Sequence, residues 1–194
     1  MKARLHDRRR QPAPPPAAWR KALTRLAEPA GGPAWPVDVV LVDDAEIAAL
    51  NRRWRGCDEV TDVLSFSYLA AEGAGAPALR AGSRQAATGL WRDPGDAAAQ
   101  APVGELVIAP AFVARQCAAH GWDLAAEWAL LTVHGLLHLL GWTHDDPAGT
   151  AAMRNREAEL LLGAGFSHPL PADGAGVEAS REEAEEGADG SRDG

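Results

Sequence analysis

Three histidines, His134, His138 and His144, stand in the segment HGLLHLLGWTH with the spacing H-x3-H-x5-H. Two residues four apart on a helix share one face, about 6 Å from each other, so both imidazoles can reach one ion. Gly141 predicts the helix end, because a glycine past the C-cap takes the left-handed conformation without Cβ strain and turns the chain back toward His144. Three neutral nitrogens that leave a fourth position open are the donor set of a catalytic zinc site, so one Zn2+ ion is the expected cofactor. Three of the six histidines of the chain fall within these eleven positions, among Leu136, Leu137, Leu139 and Leu140. Imidazoles in such apolar company cost free energy unless they are paired or coordinated.

Zinc held this way lowers the pKa of bound water to about 7 and can polarise either a carbonyl or a phosphoryl oxygen. The spacing alone does not choose between those electrophiles. It coincides with the metzincin pattern H-E-x-x-H-x-x-G-x-x-H, glycine at Gly141 included. The position after the first histidine, where those peptidases hold their general-base glutamate, is Gly135. A missing base costs on the order of 10² to 10⁴ in rate, which makes a metallopeptidase the minor alternative.

The elements that must position these residues are legible from periodicity. Asp123 can cap a long apolar helix that ends near Leu140 and carries His134 and His138. Pro110 suits the first turn of a helix through Phe112 to His120, closed by Gly121. Val37 to Val42, Val60 to Tyr68 and Glu105 to Ala109 read as strands. The pair Asp43 and Asp44 offers an N-cap to a helix over Ala45 to Arg53. Ala17 to Ala27 places Trp19, Leu23 and Leu26 at helical spacing, and Ala148 to Leu162 is a last amphipathic helix with Met153, Leu160 and Leu161 facing the core. The alternation in Met1 to His6 allows one more strand. This order predicts an α+β fold, a single domain with a small mixed sheet packed against about five helices, the histidine-bearing helix at its centre.

A chain of 194 residues accommodates one domain of roughly 150 residues with tails. The net charge of −8 hides a division: residues 1–30 carry eight Lys/Arg against two acids, residues 31–170 nine against seventeen, and residues 171–194 two against eight. A strongly basic surface for nucleic acid is therefore not expected of the globular part, and RNA contact must come from a local cluster, the basic start or a partner. Residues 1–16 read as a basic, proline-rich N-terminal tail and residues 171–194 as an acidic C-terminal tail, both disordered, which leaves residues 17–170 as the domain. Within it, residues 71–102 are rich in Ala, Gly and Pro without a steady period and read as an insertion loop. Cys57 and Cys117 are too few for a disulfide framework. With no apolar run of about 18 residues and no signal-peptide core, a reducing, cytoplasmic setting without a membrane is the expectation.

Two further motifs redirect the chemistry. Arg55-Gly56-Cys57-Asp58 and the run Thr61-Asp62-Val63-Leu64-Ser65-Phe66, with Gly104 to Ile108 and the histidine segment, resemble the YbeY endoribonuclease family, also called rRNA maturation factors. The resemblance runs from about Val37 to Leu162. It implies a zinc-dependent, single-strand-acting endoribonuclease of small-subunit rRNA maturation and ribosome quality control. The partners implied are rRNA or other single-stranded RNA and the small ribosomal subunit or its assembly factors. The implied catalytic set is Arg55 with His134, His138 and His144, the histidines holding the metal. A guanidinium at Arg55 can grip a phosphodiester through two hydrogen bonds and offset the charge of the transition state. The alternative for Arg55 is a surface residue in a turn that also holds Arg52 and Arg53. Thr61, Asp62 and Ser65 either line the cleft or cap a strand edge and turn.

The chain departs from the family in two places. Trp142 and Thr143 stand where members commonly have tyrosine and aspartate before the third histidine, so a carboxylate that could orient a ligand is lost. The insertion at 71–102 is also longer than the short connection expected there. A reading from another class is a ribosome-associated zinc-binding protein without intrinsic nuclease activity, since an acidic domain binds RNA weakly by itself.

Overall fold

The β-branched runs and apolar helical stripes assemble into one sheet with helices on both faces, in a computed structural model that describes residues 2–10, 14–27, 36–68 and 104–168. The order is β1 (Lys2–Asp7), α1 (Ala17–Ala27), β2 (Pro36–Leu41), α2 (Asp44–Arg55), β3 (Val63–Ser67), β4 (Gly104–Ile108), α3 (Pro110–His120), α4 (Leu124–Leu139) and α5 (Pro147–Ala164). The sheet runs β1-β2-β4-β3. Strand β2 pairs in parallel with both β1 and β4, and β3 runs antiparallel along the far edge of β4. The two central strands are buried at every residue, as parallel strands covered on both faces must be, whereas β3 alternates.

Successive side chains of a strand point to opposite faces, and this divides the apolar interior into two clusters. On one face Val37, Val39, Leu41, Leu106 and Ile108 pack with residues of α1, α4 and α5, among them Trp19, Leu136 and Leu161. On the other, Val40, Leu64, Phe66 and Val107 pack with Ile47 and Leu50 of α2. The indole of Trp19 meets that of Trp128 edge-on with centroids 4.6 Å apart, and its Nε1–H donates to Thr132 Oγ1 at 2.8 Å. The one polar group of that ring is thereby satisfied inside the core.

Helix α4 is enclosed on nearly every side. From Glu127 to Leu139, only His134 and His138 are not buried. The burial of Leu136, Leu137 and Leu139 contributes about 1.5–3 kcal/mol each. Asp123 caps the first turn, accepting from the Ala126 N–H at 2.8 Å. At the other end Ser67 Oγ–H donates to the Leu139 carbonyl at 3.1 Å and ties the helix to β3. Between these points α4 lies so close to the sheet that a Cβ on Gly135 would stand 2.7 Å from Leu106 Cδ2 and 2.9 Å from Ser65 Oγ. Only a residue without a side chain permits that approach.

Two expectations are corrected. The reading of residues 1–16 as a disordered tail fails for its first part, because Lys2–Asp7 forms strand β1, paired along β2 from Lys2 opposite Pro36 to Asp7 opposite Leu41. Its alternation was the better guide, and its positive charge is matched by carboxylates, one of them, Asp38, far away along the chain. Arg4 donates through Nε and Nη2 to Asp38 Oδ1 and Oδ2 at 2.6 and 3.0 Å, and Arg9 donates to Asp7 at 2.9 and 2.7 Å. Asp43 precedes α2 as expected, yet its carboxylate makes no capping bond and accepts instead from the Arg10 N–H at 3.1 Å. The insertion at 71–102 and the acidic segment 171–194 lie outside the described residues. Cys57 and Cys117 are free thiols. Among the described residues no helix is long and apolar enough to cross a membrane.

The Arg4–Asp38 pair anchors the edge strand, and Asp38 is buried. Arg4→Ala should lower the unfolding free energy by about 1–3 kcal/mol, because the carboxylate keeps its burial and loses its bidentate partner. Urea denaturation measures this, and a loss under about 0.5 kcal/mol, the range of an ordinary surface change, would show that β1 does not depend on the pair.

Candidate metal centre

The last two turns of α4 present His134 and His138, the two residues from Glu127 to Leu139 that are not buried. His134 Nδ1 lies 2.8 Å from Glu157 Oε1 on α5, and His138 Nδ1 lies 2.9 Å from the Trp142 carbonyl oxygen. A carboxylate and a carbonyl can only accept, so each Nδ1 carries the proton and each Nε2 is left with its lone pair. Those two Nε2 atoms face each other at 2.9 Å. Two lone pairs at that distance repel unless a cation lies between them.

His144 completes the group from the loop after α4. Gly141 has φ +89°, and the bonds Gly141 N–H to His138 O and Trp142 N–H to Leu137 O, both 3.0 Å, form the Schellman closure that reverses the chain. The first turn of α5 then fixes the loop. Asp146 Oδ1 accepts from the Gly149 N–H at 2.7 Å, and the Thr150 hydroxyl lies 3.1 Å from the His144 carbonyl and 2.9 Å from that of Asp146. The His144 ring comes to rest 5.5 Å from that of His134 and 5.1 Å from that of His138. One ligand atom from each of the three histidines lies within 4.8 Å of the others.

This donor set fits a single imidazole-preferring ion. Nitrogens that share a tetrahedral zinc stand ~3.3 Å apart, given bonds of ~2.0–2.1 Å; the His134 and His138 Nε2 atoms are 2.9 Å apart, and a His144 nitrogen lies within 4.8 Å of a nitrogen on each. The C-terminal end of a helix favours a cation as well. Burial first, and then the neighbouring His134 and His144, push the His138 imidazole down to about 4, against the pull of the Trp142 carbonyl and Glu157. It is therefore neutral at pH 7, the form that binds a metal.

Comparison with known proteins bears on what such a centre serves. The family described as Endoribonuclease YbeY matches residues 17–165. This chain belongs to the YbeY endoribonuclease family. It is 42% identical over 130 residues to the protein named Endoribonuclease YbeY from Moorella thermoacetica, spanning 67% of this chain and 73% of that one. Likeness to the protein of that name from Symbiobacterium thermophilum is 37% over 151 residues, 76% of this chain and 85% of the other. A Xanthomonas oryzae protein of that name is 40% identical over 131 residues, 68% and 69% of the two chains.

Of the residues singled out in the sequence, the structure brings together the three histidines, and Arg55 stands on a different element. Arg55 is the last residue of α2, exposed, and its guanidinium forms no hydrogen bond, ion pair or ring contact among the described residues. Its neighbours are occupied: Arg52 donates to Asp58 at 3.1 Å, and Arg53 lies 4.9 Å over the Trp54 ring. Asp62 accepts from the Val63 N–H at 2.7 Å and pairs with the Thr61 hydroxyl at 3.2 Å, so both serve the start of β3. Ser65 packs beneath Gly135.

Glu157 escaped the sequence reading. It supplies from α5 the carboxylate that Thr143 cannot, and orients His134. Burial would raise its carboxyl, but the hydrogen bond from His134 and the nearby His168, 3.6 Å away, outweigh that and hold it down at about 2. The available signal was an acid inside an apolar stripe, since Met153, Glu157, Leu160, Leu161 and Ala164 are the buried positions of α5.

Glu157→Gln should weaken metal affinity ~10- to 100-fold in a competition titration against a chromogenic chelator. The metal-free protein should lose stability in two acid windows. Unfolded His138 takes up its proton near 6.5 and the folded group only near 4, so the unfolded state gains between these values. Glu157 acts likewise from 4.5 down to about 2. Thermal denaturation against pH should show both, and a lower window that persists unchanged in Glu157→Gln would contradict the assignment.

Proposed function

We propose that this chain is a zinc-dependent endoribonuclease that cuts single-stranded RNA in small-subunit rRNA maturation and in ribosome quality control, acting in the cytoplasm on the small subunit or its assembly intermediates. Three imidazoles with ligand nitrogens within 4.8 Å of one another carry this reading, in a member of an endoribonuclease family. A bound Zn2+ would supply Lewis acidity, lowering the pKa of a water and polarising a phosphoryl oxygen. His134, His138 and His144 hold the ion, and Glu157 and the Trp142 carbonyl keep the protons on Nδ1 so that Nε2 stays free. Arg55 grips the scissile phosphate with a planar fork and offsets its growing charge. The peptidase reading has no support in the packing: a side chain at position 135 would run into Leu106 and Ser65, so no glutamate base fits between the ligands.

His134→Ala or His138→Ala should abolish both bound metal and cleavage of a single-stranded oligoribonucleotide. Arg55→Ala should keep a full complement of metal and lose about 10²- to 10³-fold in kcat. The measurement pairs metal analysis with RNA cleavage by highly purified protein. A metal-free histidine variant that cuts at the wild-type rate would assign the activity to a contaminant or partner, and unchanged kinetics for Arg55→Ala would return that residue to the surface.

A further inference from the structure

Five tryptophans fall among the described residues, and the fold uses four of them. Trp19 and Trp128 pack edge-on in the core, Trp54 meets Phe66 at 6.1 Å, and Trp122 stacks on His120 at 4.6 Å while packing against the interior. Trp142 does none of this. Its indole forms no hydrogen bond or ring contact among the described residues, joins neither apolar cluster, and is 36% exposed. Over a third of this large residue's surface is thus left in water rather than buried in the fold.

The main chain of the same residue is among the most firmly held at the centre. Its N–H donates to the Leu137 carbonyl at 3.0 Å and its carbonyl accepts from His138 Nδ1–H at 2.9 Å. The backbone that carries this exposed ring is thus anchored to the metal-ligand segment, one residue before Thr143 and two before His144. We propose that Trp142 is a base-stacking platform, its indole receiving the face of a nucleobase that flanks the scissile phosphodiester of single-stranded RNA. The proposal rests on the endoribonuclease reading above. Every base offers a π-face, so such a platform tolerates any sequence. In a duplex the bases stack on one another and are unavailable, so the platform also supplies a physical reason for a preference for single strands.

The test uses the full-length protein, a fluorescently labelled single-stranded oligoribonucleotide, and the variants Trp142→Ala, Trp142→Leu and Trp142→Phe. Anisotropy titration of the metal-loaded protein, read before cleavage proceeds, should show binding weakened about 5- to 150-fold for Ala and Leu and largely restored for Phe. Zinc content should be unchanged in all three, because Trp142 touches His138 only through its main chain. Abasic units placed one at a time along the RNA should weaken wild-type binding most at one position, and that sensitivity should vanish in Trp142→Ala. Wild-type affinity in the leucine variant, or an abasic profile that the alanine variant leaves unchanged, would overturn the platform. A wild-type protein that binds this RNA without cutting it would instead overturn the nuclease reading, and the abasic profile would still decide the role of Trp142.

Discussion

Helix α4 is pressed against the sheet at Gly135 and surrounded by α1 and α5, so its side chains are locked except along one short open edge where His134 and His138 emerge. That enclosure lets the protein hold two imidazole lone pairs in opposition. On a loosely packed helix the rings would rotate apart and the opposition would relax. Here rotation is resisted from outside each ring, by Glu157 on one and by the Trp142 carbonyl on the other. The repulsion is therefore a property of the packed interior, relieved when a cation enters.

The buried acids show how differently one fold can treat the same functional group. Asp38 sits against Arg4 and has an opposite charge to offset its burial. Glu157 is ionised because two imidazoles face it. Glu105, opposite Asp38 on the neighbouring strand, has no cation against it among the described residues; burial pushes its carboxyl up to about 7, with Tyr68 opposing the shift and Asp38 adding a smaller push. Isolated buried charge neutralises itself, and charge that has a task is given partners.

Much of this arrangement could be read along the chain because it depends on short-range geometry. The i,i+4 histidines, the positive φ of Gly141, the Asp123 cap and Pro110 at a helix start are local facts, and all four stand as read. What escaped depends on residues distant in sequence. Strand β1 is held by Asp38, 34 positions from Arg4, so this arginine looked like part of a basic tail. Glu157 is 23 positions from His134, and an acid in a helix ordinarily faces water. Gly135 drew notice as the absence of a base, whereas its cause is the approach of Ser65 and Leu106. Asp43 has the right type and place for a cap, but the Arg10 N–H competes for its carboxylate.

The turn after α4 serves two purposes with one set of bonds. Trp142 closes the helix through its N–H and orients His138 through its carbonyl, so fraying of this end releases a ligand, and a bound ion holds the end shut. By linkage, the local opening equilibrium of the turn and the residence of the metal are a single quantity seen from two sides. Amide hydrogen exchange at Gly141 and Trp142 would then act as a built-in gauge of occupancy.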